Sequence, residues 1–130
     1  MNLLLDTHVL IWWLEGSKRL GPQAKKTMIR SSATLWISAA TVWEMSIKTA
    51  LNRLKLAKPV EEIIALLLGH GFRPLPITIQ HALTVRNLPP LHTDPFDRVL
   101  VAQAQFEGLT IVTLDPVIQQ YNVLTIDASK

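Results

Sequence analysis

Residues 92 to 115, HTDPFDRVLVAQAQFEGLTIVTLD, are the stretch of the sequence that decides the fold. Asp94 can cap a helix and Pro95 fits a first helical turn, so we predict a helix over Phe96–Glu107 that a glycine ends. The apolar run Leu109–Thr113 follows at once and has the length of a buried strand. A helix that leads directly into a buried strand is the unit from which parallel sheets are built.

The same alternation of strands and helices extends through the rest of the chain. Short apolar runs predict further strands at Met1–Leu5, Leu35–Ile37, Arg73–Ile77 and Val123–Ile126. Capping and helix-forming residues between them predict helices at Val9–Leu14, Gln23–Arg30, Ala39–Leu51, Val60–Leu68 and Ile79–Val85. Right-handed crossovers between such strands give an α/β fold, with helices on both faces of a mostly parallel sheet of about four to five strands. We expect one domain over residues 1–130.

Composition excludes several classes of protein. Of the 130 residues, 48% are apolar and 18% charged, as in folded domains, and there is no cysteine for a disulfide, a thiolate metal site or a nucleophile. The longest apolar runs, Val9–Leu14 and Ile63–Leu68, are far shorter than the ~20 residues of a membrane-spanning helix. No signal peptide is apparent, so we expect a cytoplasmic protein with no membrane contact. The net charge of +3 hints weakly at a polyanionic partner.

Acidic residues gather where the carboxyl ends of the strands are predicted to lie. Asp6 directly follows the first strand, and Asp115 comes two residues after the strand that ends at Thr113. Glu44 lies early in the helix after the second strand, and Asp94 and Asp97 begin the helix quoted above. Sites of open parallel sheets lie outside this edge. Clustered carboxylates repel one another unless a cation neutralises them, and Mg²⁺ or Mn²⁺ bound there could activate water to cut a phosphodiester.

Each acid also has a purely structural explanation. Three of them could simply cap the helix that follows: Asp6, Asp94 and Asp115. Glu44 could pair with Lys48 one turn later, for only ~0.2–0.5 kcal/mol, and Asp97 could merely favour the helix dipole. Taken singly, none of the five exceeds its structural explanation. Their convergence on one edge of the sheet is what favours a functional site.

Four blocks of this sequence resemble those of VapC-like PIN domains, in the same order and spacing over essentially the whole chain. They are LLLDTHVLIWWLEG from Leu3, ISAATVWEMSIKTALNRL from Ile37, the opening stretch from His92, and the closing YNV. The resemblance implies a PIN-like three-layer α/β/α sandwich, with three or four acids around one or two divalent ions. One departure is Asn52, where related sequences often carry glycine. Asparagine tolerates a left-handed backbone, so the turn is expected to survive.

The resemblance assigns roles to residues of this chain. It implies that the metal-binding acids, which are also the catalytic residues, are Asp6, Glu44, Asp97 and Asp115. Asp94 is implied to support these ligands without binding the metal. Thr7 and Thr113 are candidates for orienting water or a carboxylate. Arg98 is a candidate for contacting the substrate or for balancing the acidic charge.

The implied function is that of a Mg²⁺- or Mn²⁺-dependent endoribonuclease, the toxin of a type II toxin–antitoxin pair. Such proteins cut RNA, are held inactive by a cognate antitoxin and commonly form homodimers. Either Trp12 or Trp13 could lie in such an interface, because adjacent helical residues point about 100° apart. The alternative is a catalytically silent PIN fold that binds RNA or a partner, although every acid is present here. A haloacid-dehalogenase-like phosphotransferase would need a second aspartate where this chain has His8.

Overall fold

The computed structural model describes residues 1–130 and has one five-stranded sheet whose neighbouring strands are all parallel, in the order β3-β2-β1-β4-β5. The strands are β1 (Asn2–Leu5), β2 (Thr34–Ser38), β3 (Arg73–Leu75), β4 (Thr110–Thr113) and β5 (Thr125–Asp127). The helices are α1 (Thr7–Glu15), α2 (Pro22–Met28), α3 (Ala39–Ala50), α4 (Val60–Gly69), α5 (Ile79–Val85) and α6 (Pro95–Glu107), with a 3₁₀ turn at Ile118–Gln120. The predicted α/β class with a parallel sheet is confirmed.

The central strand β1 divides the hydrophobic core into two layers. Leu3 and Leu5 belong to a cluster of 14 buried residues that includes Met45 of α3. Leu4 points to the opposite face and belongs to a cluster of 12 that includes Leu100 of α6. Successive side chains of a strand alternate between faces, and each fully buried leucine contributes about 1.5–3 kcal/mol. An apolar run of three buried leucines therefore needs helices on both faces, which makes the three-layer sandwich.

Several element boundaries differ from the predicted ones. Helix α1 begins at Thr7 and not at Val9, because the Asp6 side chain accepts a hydrogen bond from the Val9 N–H and caps the helix one residue after β1. Strand β3 ends at Leu75 and lies at the edge of the sheet, where the ladder tolerates proline. Asn52 has a left-handed φ of 56°, as expected for the residue that replaces a glycine.

Within the helix predicted over Ala39–Leu51, the spacing of Trp43, Ile47 and Leu51 places them on one apolar face, but α3 buries a different face. Trp43, Ile47 and Leu51 share one side of the helix, and they are 56%, 38% and 55% exposed. The buried side carries Glu44 and Met45 instead. A buried glutamate beside an exposed tryptophan is the reverse of ordinary core packing.

The topology places the starts of three helices at one edge of the sheet. Strand β1 runs into α1 through Asp6, and β2 runs directly into α3, which Ser38 caps. Helix α6 begins at this edge and returns along the sheet to β4. The carboxyl ends of β1, β2 and β4 therefore face one common space. No helix of the structure is both long enough and apolar enough to cross a membrane.

Candidate metal centre

A cleft of about 400 Å³ opens at the carboxyl edge of the sheet, and all five acids that the sequence singles out line it. Its lining also includes Thr7, His8, Trp12, Arg19, Lys48 and Leu114. A larger depression of about 590 Å³ lies between α3 and α4, but its lining contains a single acidic residue, Glu61. The acidic residues are therefore concentrated in the smaller cleft at the carboxyl edge of the sheet.

Asp6 caps helix α1 and also lines the cleft. It is only 6% exposed. Its Oδ1 accepts the Val9 N–H at 3.0 Å, and its Oδ2 accepts the Thr113 hydroxyl at 2.5 Å. Burial raises the pKa of Asp6, although these two hydrogen bonds oppose the shift. The Thr113 oxygen also accepts the Asp115 N–H at 2.9 Å, so one hydroxyl ties the ends of β1 and β4 together.

Glu44 is held from two sides inside the cleft. It is 4% exposed, its Oε1 accepts the Thr7 hydroxyl at 2.5 Å, and its Oε2 accepts the Lys48 ammonium at 2.6 Å. The predicted pair with Lys48 is therefore present, and the hydrogen bond to Glu44 raises the pKa of Lys48. An exposed pair of this kind contributes little, but a buried carboxylate without a partner would be costly. Glu44 therefore forms the pair with Lys48 and also lines the cleft.

Asp94 and Asp97 lie in the first turn of α6. The Asp94 Oδ1 accepts the N–H groups of Phe96 at 2.9 Å and Asp97 at 3.4 Å, which is the predicted helix cap. Burial, followed by the nearby charge of Asp94, raises the pKa of Asp97 to about 7, and the charges of Glu44 and Asp6 add to the shift. Asp97 is therefore an acid whose charged form is disfavoured first by burial and then by the neighbouring acids.

His92 contacts two of the acids that line the cleft, and sequence reasoning assigned it no role. Its Nε2 lies 2.8 Å from Asp115 Oδ2 and 3.1 Å from Asp97 Oδ2. Burial would lower the pKa of His92, but the hydrogen bond with Asp115 and the charges of the acids raise it. The Asp94 N–H donates a hydrogen bond to Nδ1 at 3.1 Å, which disfavours a proton on Nδ1. Its position two residues before the cap of α6 places His92 near the edge of the sheet but does not fix the direction of its side chain.

The hydrogen-bond partners of Asp115 explain why its pKa is lowered, whereas the pKa of Asp97 is raised. Burial would raise the pKa of Asp115, but hydrogen bonds from His92 and from the Val117 N–H together lower it. The bond from Val117 is the structural role that the sequence allowed. The side chain of Asp115 thus caps the turn after β4 while its second oxygen faces His92.

The guanidinium of Arg98 contacts the loop before α6 and forms no salt bridge with an acid. It donates to the Pro89 carbonyl at 3.1 Å, to the Val85 carbonyl at 3.2 Å and to the Tyr121 hydroxyl at 3.2 Å. A weaker contact reaches the His92 carbonyl at 3.5 Å. These contacts anchor the loop that carries His92, and they leave little of the fork free for a substrate.

The donor set of the cleft fits a hard divalent cation. The carboxylates are oxygen ligands of the kind that Mg²⁺ and Mn²⁺ prefer. Ligand atoms of His92, Asp97 and Asp115 lie within 4.8 Å of one another. Burial and the charge of Asp94 raise the pKa of Asp97, and a cation held among these acids would oppose both effects. Asp6, Glu44, Asp97 and Asp115 are the residues that would hold such an ion.

Comparison with known proteins identifies the family. The PIN domain pattern matches residues 3–124. Ribonuclease VapC22 from Mycobacterium tuberculosis is 33% identical over 115 residues, which cover 88% of this chain and 87% of that protein. The fold is similar to that of VapBC2 from Rickettsia felis bound to a promoter DNA fragment, with a TM-score of 0.73, 12% identity, and coverage of 97% and 98% of the two chains.

A further solved structure with this fold is VapC20 from Mycobacterium tuberculosis, a toxin that cleaves the sarcin-ricin loop. Its TM-score is 0.65 at 18% identity, with 90% of this chain and 92% of that chain covered. At such identities the likeness shows the fold alone. The match to the PIN domain pattern and the 33% identity to a ribonuclease show the family as well as the fold. The chain therefore belongs to the PIN domain family.

Proposed function

We propose that this protein is a Mg²⁺- or Mn²⁺-dependent endoribonuclease that hydrolyses RNA phosphodiester bonds, and that it is the toxin of a toxin–antitoxin pair. The observation that carries the proposal is the convergence of four carboxylates, each from a different element at the sheet edge, on one cleft. They are Asp6, Glu44, Asp97 and Asp115. The relationship to a ribonuclease over 88% of the chain supports the choice of reaction and substrate.

The residues around the cleft fix the carboxylates before any substrate arrives. The Thr113 and Thr7 hydroxyls each donate to one acid, so the rotamers of Asp6 and Glu44 are set by hydrogen bonds. Lys48 balances part of the charge of Glu44. A bound divalent ion would supply Lewis-acid stabilisation and a water of lowered pKa. The protein contributes positioning, because preorganised ligands need not rearrange during the reaction.

Basic and aromatic groups at the rim of the cleft suit a phosphate backbone. Arg19 and Lys48 line the cleft, and Arg19 is exposed. Lysine and arginine contacts to phosphate are independent of sequence and weaken with salt. Trp12 also lines this cleft and lies 6.4 Å from the His8 ring, whereas Trp13 packs against Phe72. Of the two adjacent tryptophans, Trp12 is therefore the one that borders the acidic cleft.

We also propose that the chain forms a homodimer and binds a cognate antitoxin. An apolar cavity of about 540 Å³ lies between α3, α4 and the edge strand β3, and Trp43 and Leu68 in its lining are exposed. Exposed large apolar side chains beside an apolar cavity offer a surface on which a protein partner could pack. Solved relatives of the fold include VapBC complexes, some of them bound to DNA. These features support a protein partner at this surface. Experiment decides whether that partner is a second copy of the chain or the antitoxin.

Cleavage of total tRNA and rRNA by the purified protein tests the proposal. We expect cutting with Mg²⁺ or Mn²⁺ that EDTA abolishes and that Asp6→Asn reduces by at least about 10²-fold. Asparagine is also a good helix cap, so α1 should be retained. Glu62→Gln, an exposed acid on α4, is the matched control and should cut like the wild type. No cleavage of any RNA, with no Mn²⁺ binding by calorimetry, would favour the catalytically silent binding module.

A further inference from the structure

His92 occupies the gap between two of the proposed metal ligands, although the reaction outlined above does not use it. Its Nε2 faces the Oδ2 atoms of Asp115 at 2.8 Å and Asp97 at 3.1 Å. Asp97 begins α6 and Asp115 follows β4, so the imidazole connects two separate elements. The question is whether this nitrogen binds the ion or holds the carboxylates that bind it.

The hydrogen bond at the other ring nitrogen, Nδ1, indicates which of the two roles Nε2 can have. Nδ1 lies 3.1 Å from the backbone nitrogen of Asp94 and accepts its N–H. A ring nitrogen that accepts a hydrogen bond carries no proton, so the proton of the neutral ring is on Nε2. That proton points at the two carboxylates. With Nε2 protonated, its lone pair is not available for coordination, and the nitrogen can only donate.

The position of the ring is set by contacts outside the cleft. The backbone N–H of His92 donates to the Tyr121 hydroxyl at 2.8 Å, and Tyr121 is only 4% exposed. Arg98 donates to the same hydroxyl at 3.2 Å and to the Pro89 carbonyl at 3.1 Å. The loop is thus fixed on both sides of His92. A donor held this firmly can define the spacing of the groups that accept from it.

We propose that His92 is a positioning residue whose Nε2–H holds Asp97 and Asp115 at a fixed separation, and that His92 is not itself a metal ligand. Two carboxylates that share a site repel each other. A hydrogen-bond donor between them offsets this repulsion and keeps both side chains in the cleft. The importance of this arrangement for catalysis rests on the proposed function, but the hydrogen bonding and its effect on metal binding do not.

Two substitutions separate a donor from a ligand. His92→Gln keeps an N–H donor at nearly the place of Nε2, whereas His92→Phe keeps the ring and removes the donor. Loss of a residue that orients metal ligands costs about 10–100-fold in metal affinity. We expect that loss in Mn²⁺ affinity for His92→Phe, measured by calorimetry, and recovery of most of it in His92→Gln. Equal weakening in both variants, or full affinity in His92→Phe, would overturn the proposal.

Nuclear magnetic resonance of the wild type keeps the proposal testable if a variant does not fold. At a pH above the pKa of His92, long-range ¹H–¹⁵N spectra of ¹⁵N-histidine-labelled protein should show Nδ1 without a proton and Nε2 with one, both before and after saturation with Mg²⁺. Loss of the Nε2 proton on addition of Mg²⁺ would make His92 a ligand and refute the proposal. A ring with its proton on Nδ1 and none on Nε2 in the metal-free protein would refute it as well.

These measurements do not depend on RNA cleavage. If Asp6→Asn cut RNA as fast as the wild type, the proposed function would fail while the role of His92 in metal binding stood. If His92→Phe bound Mn²⁺ normally, the positioning role would fail and the nuclease would stand. Absence of Mn²⁺ binding by the wild type would overturn the metal site and with it the role of His92 toward the ion.

Discussion

The Oγ1 of Thr113 lies 2.5 Å from the Oδ2 of Asp6, so the last residue of β4 holds the acid that follows β1. The two residues are 107 positions apart in the sequence and adjacent in space because β1 and β4 are neighbouring strands. The same hydroxyl accepts the Asp115 N–H. One threonine thereby fixes two of the four proposed ligands.

Removing this hydroxyl should disturb both stability and metal binding. Thr113→Val leaves the buried Asp6 Oδ2 without its donor, and an unsatisfied buried group costs about 1–3 kcal/mol. We expect a matching fall in the free energy of urea unfolding and about 10–100-fold weaker Mn²⁺ binding. Thr110→Val, at the other end of β4, is the control and should change neither. Normal Mn²⁺ affinity in Thr113→Val would show that Asp6 is held without it.

The stability of the metal-free protein should depend on pH through Asp97. Its pKa is about 7 in the folded protein and 3.8 in the reference state. Between these values the folded protein keeps a proton that the unfolded chain has released, so stability falls as pH rises through this window. The pKa values of Asp6 and His92 are also raised and act in the same direction. We expect the melting temperature of the metal-free protein to fall from pH 5 to pH 8.

Asp97→Asn isolates this contribution. The difference between the two pKa values corresponds to at most ~4 kcal/mol, and water in the open cleft should reduce it to about 1–2 kcal/mol. The variant should therefore melt higher than the metal-free wild type at pH 8 and show a shallower pH dependence. Mg²⁺ should stabilise the wild type at pH 8 and have little effect on the variant. Glu62→Gln should keep the wild-type slope, and an equally steep slope in Asp97→Asn would contradict the assignment.

The convergence of the acids follows from the sequence because topology alone dictates it. Acids placed after parallel strands, or at the starts of the returning helices, must meet at one edge of the sheet. Glu44 and Asp97 could be assigned to that edge without any side-chain detail. Their structural roles were also foreseeable, and the helix caps at Asp6 and Asp94 show that capping and site geometry do not exclude each other.

The position of His92 could not be predicted in this way. It lies in a loop, where no periodicity fixes the direction of a side chain. Its placement depends on Tyr121, which is 29 residues further along the chain. The same holds for Arg98, because its partners include the Pro89 carbonyl in the loop and the Val85 carbonyl at the end of α5, which no motif identifies. Contacts between distant loops are the part of the site that requires coordinates.

Arg98 should stabilise the loop that carries His92. Lysine keeps the charge but cannot reach several acceptors with a planar fork, so Arg98→Lys should cost about 1–3 kcal/mol. Urea unfolding measures the loss, and Mn²⁺ calorimetry should show weaker binding although Arg98 touches no proposed ligand. Arg86→Lys, an exposed arginine at the end of α5, provides the matched control. Equal stability of the two variants would argue against the anchoring role.

The exposed apolar side of α3 should be an interface between copies of the chain. Hydrophobic periodicity cannot distinguish a core from an interface, which is why the pattern of Trp43, Ile47 and Leu51 predicted burial. We expect the purified protein to be a dimer by light scattering and Trp43→Glu to be a monomer. Leu124→Glu, at a residue that is 76% exposed before β5, should remain dimeric. A wild-type monomer would leave this surface to the antitoxin.

The contact of Gly21 with the last residues of the chain should be essential for stability. Its N–H donates to the Ala128 carbonyl at 2.8 Å, and a Cβ at this position would lie 2.3 Å from the backbone carbon of Lys130. Because the neighbouring atoms are backbone, Gly21→Ala must displace the segment after β5 from the start of α2. We expect a loss of about 1–3 kcal/mol in urea unfolding.

Gly69→Ala makes the same chemical change where there is room for it. No atom lies within 4 Å of a Cβ built at Gly69, at the end of α4. Alanine loses less backbone entropy than glycine in a helix, so this variant should gain about 0.5–1 kcal/mol. The two substitutions should therefore shift stability in opposite directions. If Gly21→Ala were as stable as the wild type, the segment after β5 would not be bound to α2 in solution, because the overlap at 2.3 Å leaves no room for both.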